Sequence, residues 1–163
     1  IAANNLAKHN RVVVNNNAFT TGSFGIEALG ANGWLIANNR IVSESDAIHL
    51  AQTKVANIVH NQLTGLTGVQ LTDSSRVRVV NTRITSQTQG VLLGENALNN
   101  SIIANRVLKV ETAGITFGAV ISGNRVLANL VSCAAGFTCT AVEAAPELYL
   151  TNKILGNRII KPR

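Results

Sequence analysis

The chain has 163 residues, 46% of them hydrophobic, enough for one domain with a real core. Only 13% are charged, but the balance is +6, which favours an anionic partner such as acidic polysaccharide, nucleic acid or a membrane surface. An aromatic content of 4%, with no Lys/Arg run interleaved with Phe or Tyr, argues against nucleic acid, and no apolar run approaches the roughly 18 residues of a membrane span.

Asparagine supplies 20 residues, as expected of a chain made of short, uncharged turns. Methionine is absent and Ile1 already falls in phase with a repeat, so the expectation is a processed protein or a segment of something longer. No charged-then-apolar leader is present, and export is not read directly.

From the N-terminus, one phrase returns: an aliphatic, spacers, a polar corner, a basic residue, another aliphatic. A weak copy, AKHNRV, spans Ala7 to Val12. It is followed by IANNRI (Ile36 to Ile41), IVHNQL (Ile58 to Leu63), VVNTRI (Val79 to Ile84), IIANRV (Ile102 to Val107), ISGNRV (Ile121 to Val126) and ILGNRI (Ile154 to Ile159). Seven copies about 22 residues apart predict a solenoid in which each turn buries its apolar face only against its neighbours.

Between copies lies a second phrase of a small residue, an apolar one, a variable one and another apolar one. It reads GIEA from Gly25, AIHL from Ala47, GVQL from Gly68, GVLL from Gly90 and GITF from Gly114. Period two predicts a strand whose variable side chain points outward. The β-branched columns favour strands over helices throughout, and two or three short strands are expected per turn.

These Asn-Arg-[Ile/Val] and Gly-[Ile/Val]-x-[Leu/Phe] phrases resemble those of right-handed parallel β-helix proteins, the pectate-lyase-like fold, over about residues 5 to 160. The resemblance implies an all-β right-handed parallel solenoid of about seven coils, forming a single domain over residues 1–163. It also implies an asparagine ladder at the corner position, here Asn10, Asn39, Asn61, Thr82, Asn105, Asn124 and Asn157. A leucine-rich repeat is disfavoured because the aliphatics are mostly Val and Ile and no helix pattern follows. A left-handed hexapeptide helix would need a rigid period, whereas successive spacings run 22, 21, 23 and 19.

Two intervals are long, and loop insertions are expected at about 13–25 and 129–149. The second holds Cys133 and Cys139, read as a disulfide that would place the protein outside the cytoplasm, at the cell surface or beyond it. The alternative is two buried thiols packing as small hydrophobes.

Three constellations could carry chemistry. Arg11, Arg40, Arg83, Arg106, Arg125 and Arg158, interrupted by Gln62, share one repeat position; Arg40, Arg83, Arg106 and Arg125 are the candidate grip on a linear polyanion. The competing reading is that their stems cover apolar surface. Asp73 and Glu95, each four residues past an equivalent valine, suggest a carboxylate pair on adjacent coils, although both also suit ordinary turns. Glu27 and His49 suggest an acid and base stacked on neighbouring coils.

No metal-ligand cluster or cofactor motif is found, and the acidic signatures of pectate lyase and polygalacturonase cannot be mapped onto a chain with only two aspartates, Asp46 and Asp73. The expected function is a rigid extracellular or surface scaffold binding an acidic polysaccharide or glycan. The alternatives are a polysaccharide lyase, glycoside hydrolase or epimerase, and a structural shaft of a phage fibre, adhesin or filament. Leu92 and Ile103 would then mark contacts in a homo-oligomer joined through its sides or ends.

Overall fold

Extended segments rich in Val and Ile cannot bury their side chains within one turn, so each bonds to its counterpart in the next. A computed structural model describes Ala2–Ala3 and residues 12–30, 32–119 and 121–160. Among these, every strand pairing is parallel, in a seven-stranded and a twelve-stranded sheet around one apolar shaft.

The seven-stranded sheet stacks Val13–Asn15, Asn32–Ala37, Lys54–Val59, Ser75–Val80, Ser101–Ile103, Arg125–Leu127 and Lys153–Leu155 in chain order. The larger sheet is bent. Strands Gln62–Thr72 and Arg83–Leu93 run through the bend, so that Arg40–Ser43 and Arg106–Val110 lie on one limb. Ile48–Ala51 and Ala113–Phe117 lie on the other.

Register turns the sequence columns into vertical files. Ile36, Ile58, Val79, Ile102 and Val126 stack inside the shaft on one face, and Ile41, Leu63, Ile84, Val107 and Val131 on another. Each of these side chains is at most 2% exposed. Burying one contributes about 1.5–3 kcal/mol, so the files dominate the favourable side of folding.

A ladder of side chains, asparagine at every rung but Thr82, marks the first corner. Residues 17, 39, 61, 82, 105, 129 and 157 bond in sequence, at separations of 22, 22, 21, 23, 24 and 28 residues. The seven coils expected therefore reduce to about five regular turns of about 22 residues and one longer turn. The left-handed residue of this corner is the one before each rung: Asn38, His60, Asn81, Ala104 and Ala128 have φ between 54 and 56°, apart from Asn81 at 49°. Asparagine and histidine tolerate that region at modest cost, whereas Ala104 and Ala128 are held there by the rungs around them.

A second ladder, Thr53, Ser74, Asn100, Asn124 and Asn152, closes another corner. It corrects the expected phase of ISGNRV. Asn124 belongs to this ladder rather than to that of Asn105, and Val126 stacks on Ile102 rather than on Val107. The next true copy of the first phrase is Val126 to Val131, whose corner is Asn129. Asparagine serves as a rung at both corners, so one phrase fits either.

All of the first copy but Val12, including Asn10 and Arg11, lies outside the described residues; Asn17 supplies a rung of the first ladder. The expected insertion at 13–25 is regular coil: Val13–Asn15 and Ala18–Thr21 pair in register with the following turn. The insertion at 129–149 narrows, because Leu130–Cys133 and Thr140–Glu143 are paired strands and the extra chain lies mostly between them.

Candidate functional site

The larger sheet carries most of the expected site residues on its outer side. Along one limb, register places Ala18, Arg40, Gln62, Arg83, Arg106, Leu130 and Arg158 in a single exposed file. Each step along it is about 4.8 Å. The residue after each basic position turns inward, which is why the arginines must point out. Among the described residues, the guanidinium groups of Arg40, Arg83 and Arg106 have no carboxylate or hydrogen-bond partner.

Arg125 is not in this file. It stands on the seven-stranded sheet, between Ser101 and Lys153, with Arg78 one strand beyond Ser101. The positive charge is thus divided between two faces, and the second group, Arg78, Arg125 and Lys153, was not foreseen. Its signal is the outward position in Arg78-Val79, which period two alone exposes.

A groove follows the arginine file. A hollow of about 420 Å³ is lined by Phe19, Thr20, Arg40 and Val42. A smaller one of about 90 Å³ lies between Arg40, Gln62 and Arg83, floored by Thr64 and Thr85. Those two threonines also line a hollow of about 570 Å³ at the bend of the sheet. The hollows share residues and so adjoin one another.

Glu27 and His49 are register partners on adjacent strands of the other limb, and Gln70, Leu92 and Thr116 continue their file. The His49 ring packs on Phe24 with centroids 5.3 Å apart, and its Nδ1 is buried without a hydrogen-bond partner. Beside it Asp46 is only 7% exposed. Burial pushes its carboxyl above the ordinary aspartate range, while a hydrogen bond with Thr67 and the charge of His49 pull it part of the way back.

Asp73 and Glu95 do not occupy equivalent places. Asp73 and Asn96 share the left-handed corner, with φ of 48° and 52°, and the Asn96 amide donates to the Asp73 carboxylate at 2.7 Å. An additional residue between Leu93 and Asn96 shifts Glu95 one position back, where it meets Asp73 only through a backbone bond from the Asp73 N–H to its carbonyl.

Cys133 and Cys139 form a disulfide with Cα atoms 5.4 Å apart. Phe137, 51% exposed, stands in the loop it closes. Leu92 and Ile103, expected to be exposed and to mark subunit contacts, are half-buried, and they stand on two different faces. Among the described residues no three His, Cys, Asp or Glu side chains group as metal ligands, and no helix is long and apolar enough to cross a membrane.

The parallel stacking, the two ladders and the shared shaft agree with the match of residues 24–161 to the model of the right handed beta helix region. The chain belongs to the right-handed β-helix family. No curated protein and no solved structure matches it. Membership in the β-helix family accounts for the files and ladders.

Proposed function

We propose that this β-helix domain is an extracellular or surface-located scaffold that binds an acidic polysaccharide along the Arg40, Gln62, Arg83 and Arg106 file. The observation that carries the reading is an in-register file of arginines without carboxylate partners, bordering a groove. Like charges one or two strands apart repel one another, and a polyanion laid along the file relieves that repulsion. Guanidinium groups suit carboxylate or sulfate because they present paired donors. Gln62 interrupts the file and offers a neutral contact for a sugar hydroxyl. The disulfide supports an oxidising compartment.

A glycan array read at two salt concentrations tests the proposal. Acidic glycans should be retained at low salt and released at high salt. The double variant Arg83→Glu/Arg106→Glu should lose that retention while keeping its melting temperature; unchanged retention would remove the arginine file from consideration. The enzymatic alternative draws on Glu27, His49 and the neighbouring Asp46, and release of reducing ends or unsaturated products from a bound glycan is its signature.

A further inference from the structure

We propose that the outer face of the seven-stranded sheet docks an acidic amphipathic helix, a segment of another protein with an aliphatic stripe and carboxylates beside it. The inference goes beyond the polysaccharide reading and draws on none of the residues of the arginine file.

Period two leaves two outward files on this sheet. One runs Asn57, Arg78, Ser101, Arg125 and Lys153, the polar row expected where a sheet meets water. The other runs Val59, Val80, Ile103, Leu127 and Leu155, aliphatic on five successive turns. Its first four members are half-buried and Leu155 is 59% exposed. Parallel sheets that carry apolar side chains on both faces are ordinarily covered on both. Among the described residues nothing covers the outer face here. Every other strand belongs to the larger sheet, and the short helix Leu148–Thr151 meets only the last strand, Lys153–Leu155.

Charge identifies the kind of partner. None of the seven strands contains Asp or Glu, and all eight acidic residues of the chain lie elsewhere. The same strands carry Lys54, Arg76, Arg78, Arg125 and Lys153, all of them exposed. Among the described residues, the side chains of Arg78, Arg125 and Lys153 have no carboxylate or hydrogen-bond partner. A complementary surface is therefore aliphatic over the Val80 file and acidic over the Arg78 file.

Spacing selects a helix laid across the strands. Successive turns are about 4.8 Å apart, so the file from Val59 to Leu155 is about 19 Å long. Helix residues three and four apart rise about 4.5 and 6 Å, so a heptad stripe of aliphatics advances at nearly that pitch. Arg78 and Arg125 stand two turns apart, and Arg125 and Lys153 one. Those intervals, about 10 and 5 Å, match helix positions seven and three residues apart. An extended peptide, whose same-side residues repeat at about 6.8 Å, falls out of step within two turns.

Other occupants fit less well. The two-fold arrangements that lay this face on the same face of a second copy set arginine either over arginine or over the aliphatic file. An anionic bilayer takes up protruding aliphatic and aromatic side chains. Here the aliphatic file is mostly half-buried, and the one aromatic residue of these strands, Trp34, is 1% exposed.

The test is fluorescence anisotropy of the intact chain with a labelled peptide of about 18 residues. Leu fills its heptad a and d positions, Glu its b and e positions, and Ala and Gln the rest. It should bind saturably, and about tenfold more tightly than the same peptide with Lys for Glu. A third peptide, with Gln for Leu, should not bind. The variant Arg78→Glu/Arg125→Glu/Lys153→Glu should prefer the Lys peptide, a reversal that loss of folding cannot produce. Arg83→Glu/Arg106→Glu should bind the Glu peptide as wild type does. No binding, equal affinity for the Glu and Lys peptides, binding that survives the loss of Leu, or a triple variant with the wild-type preference overturns the assignment. So does tighter binding to vesicles containing phosphatidylserine than to the peptide, or a dimer that the triple variant abolishes.

Discussion

The Asn61 carboxamide oxygen accepts both the backbone N–H and the side-chain N–H of Asn39, at 2.9 and 3.1 Å. The Asn61 amide in turn donates to the Ile36 carbonyl at 2.9 Å and to the Val59 carbonyl at 3.1 Å. One side chain, 1% exposed, thus satisfies groups on two consecutive turns. Asn61→Ala leaves several of them buried without partners, which predicts a loss of about 3 kcal/mol or more. Urea denaturation measures it; a change within experimental error would mean that water replaces the rung.

Thr82 is the weak rung of the same ladder. Its hydroxyl meets the Asn61 N–H at 3.5 Å and the Val80 carbonyl at 3.3 Å, whereas the asparagine rungs bond at 2.8–3.1 Å. It also lacks the amide donor that Asn61, Asn105 and Asn129 give to the previous turn. Thr82→Asn should restore that bond and stabilise by about 1 kcal/mol. A lower melting temperature would show that the corner has no room for the amide.

This ladder also shows how far a single sequence reveals such a fold. Inward columns of Ile and Val and corner asparagines recur because every turn meets the same packing problem, so the solenoid was legible. The phase was not. Asn124-Arg125 repeats the phrase of Asn105-Arg106 at the other corner, and only strand pairing separates Arg125 from the arginine file. Equal spacing from Val69 and Val91 aligns Asp73 with Glu95, but one additional residue before Asn96 puts Asn96 in the place equivalent to Asp73.

Glycines in the second phrase answer to their neighbours across the shaft. A methyl group on Gly90 would press on Val107 Cγ1 and lie 2.5 Å from the Gly114 carbonyl oxygen; Gly68 faces Ile84 in the same way. Ala47 holds the corresponding place one turn before Gly68, where the file member is the unbranched-at-Cβ Leu63. Gly90→Ala should therefore cost about 3 kcal/mol, and adding Val107→Leu should recover part of it. Thermal denaturation of the single and double variants decides; purely additive losses would sink the steric argument.

The disulfide closes a short loop whose ends are six residues apart in sequence. Chain-entropy arguments give such a ring about 2 kcal/mol, acting mainly on the loop itself. Reduction should leave the solenoid melting nearly unchanged and open the loop. Chymotrypsin should then cleave after Phe137, half exposed at its tip, much faster in reducing buffer. Equal cleavage rates with and without reductant would show that the loop is held by packing alone.

Asp46 sets a pH dependence whose sign follows from its burial. Desolvation raises its native pKa above the ordinary 3.8, with the Thr67 hydrogen bond and His49 opposing in part. Below about pH 3.8 the carboxyl is protonated whether the chain is folded or not, and no penalty arises. As pH rises through the native pKa, the unfolded chain has already ionised while the folded one must place a charge in a buried site, so stability is lost. Asp46→Asn removes the charge and keeps an oxygen for Thr67. It should be more stable than wild type at neutral pH, and its advantage should shrink on acidification through the native pKa and level off near 3.8. Denaturation midpoints of both proteins across that range test it. An advantage that stays constant, or that grows in acid, would mean the carboxylate is better compensated by His49 and Thr67 than its burial implies.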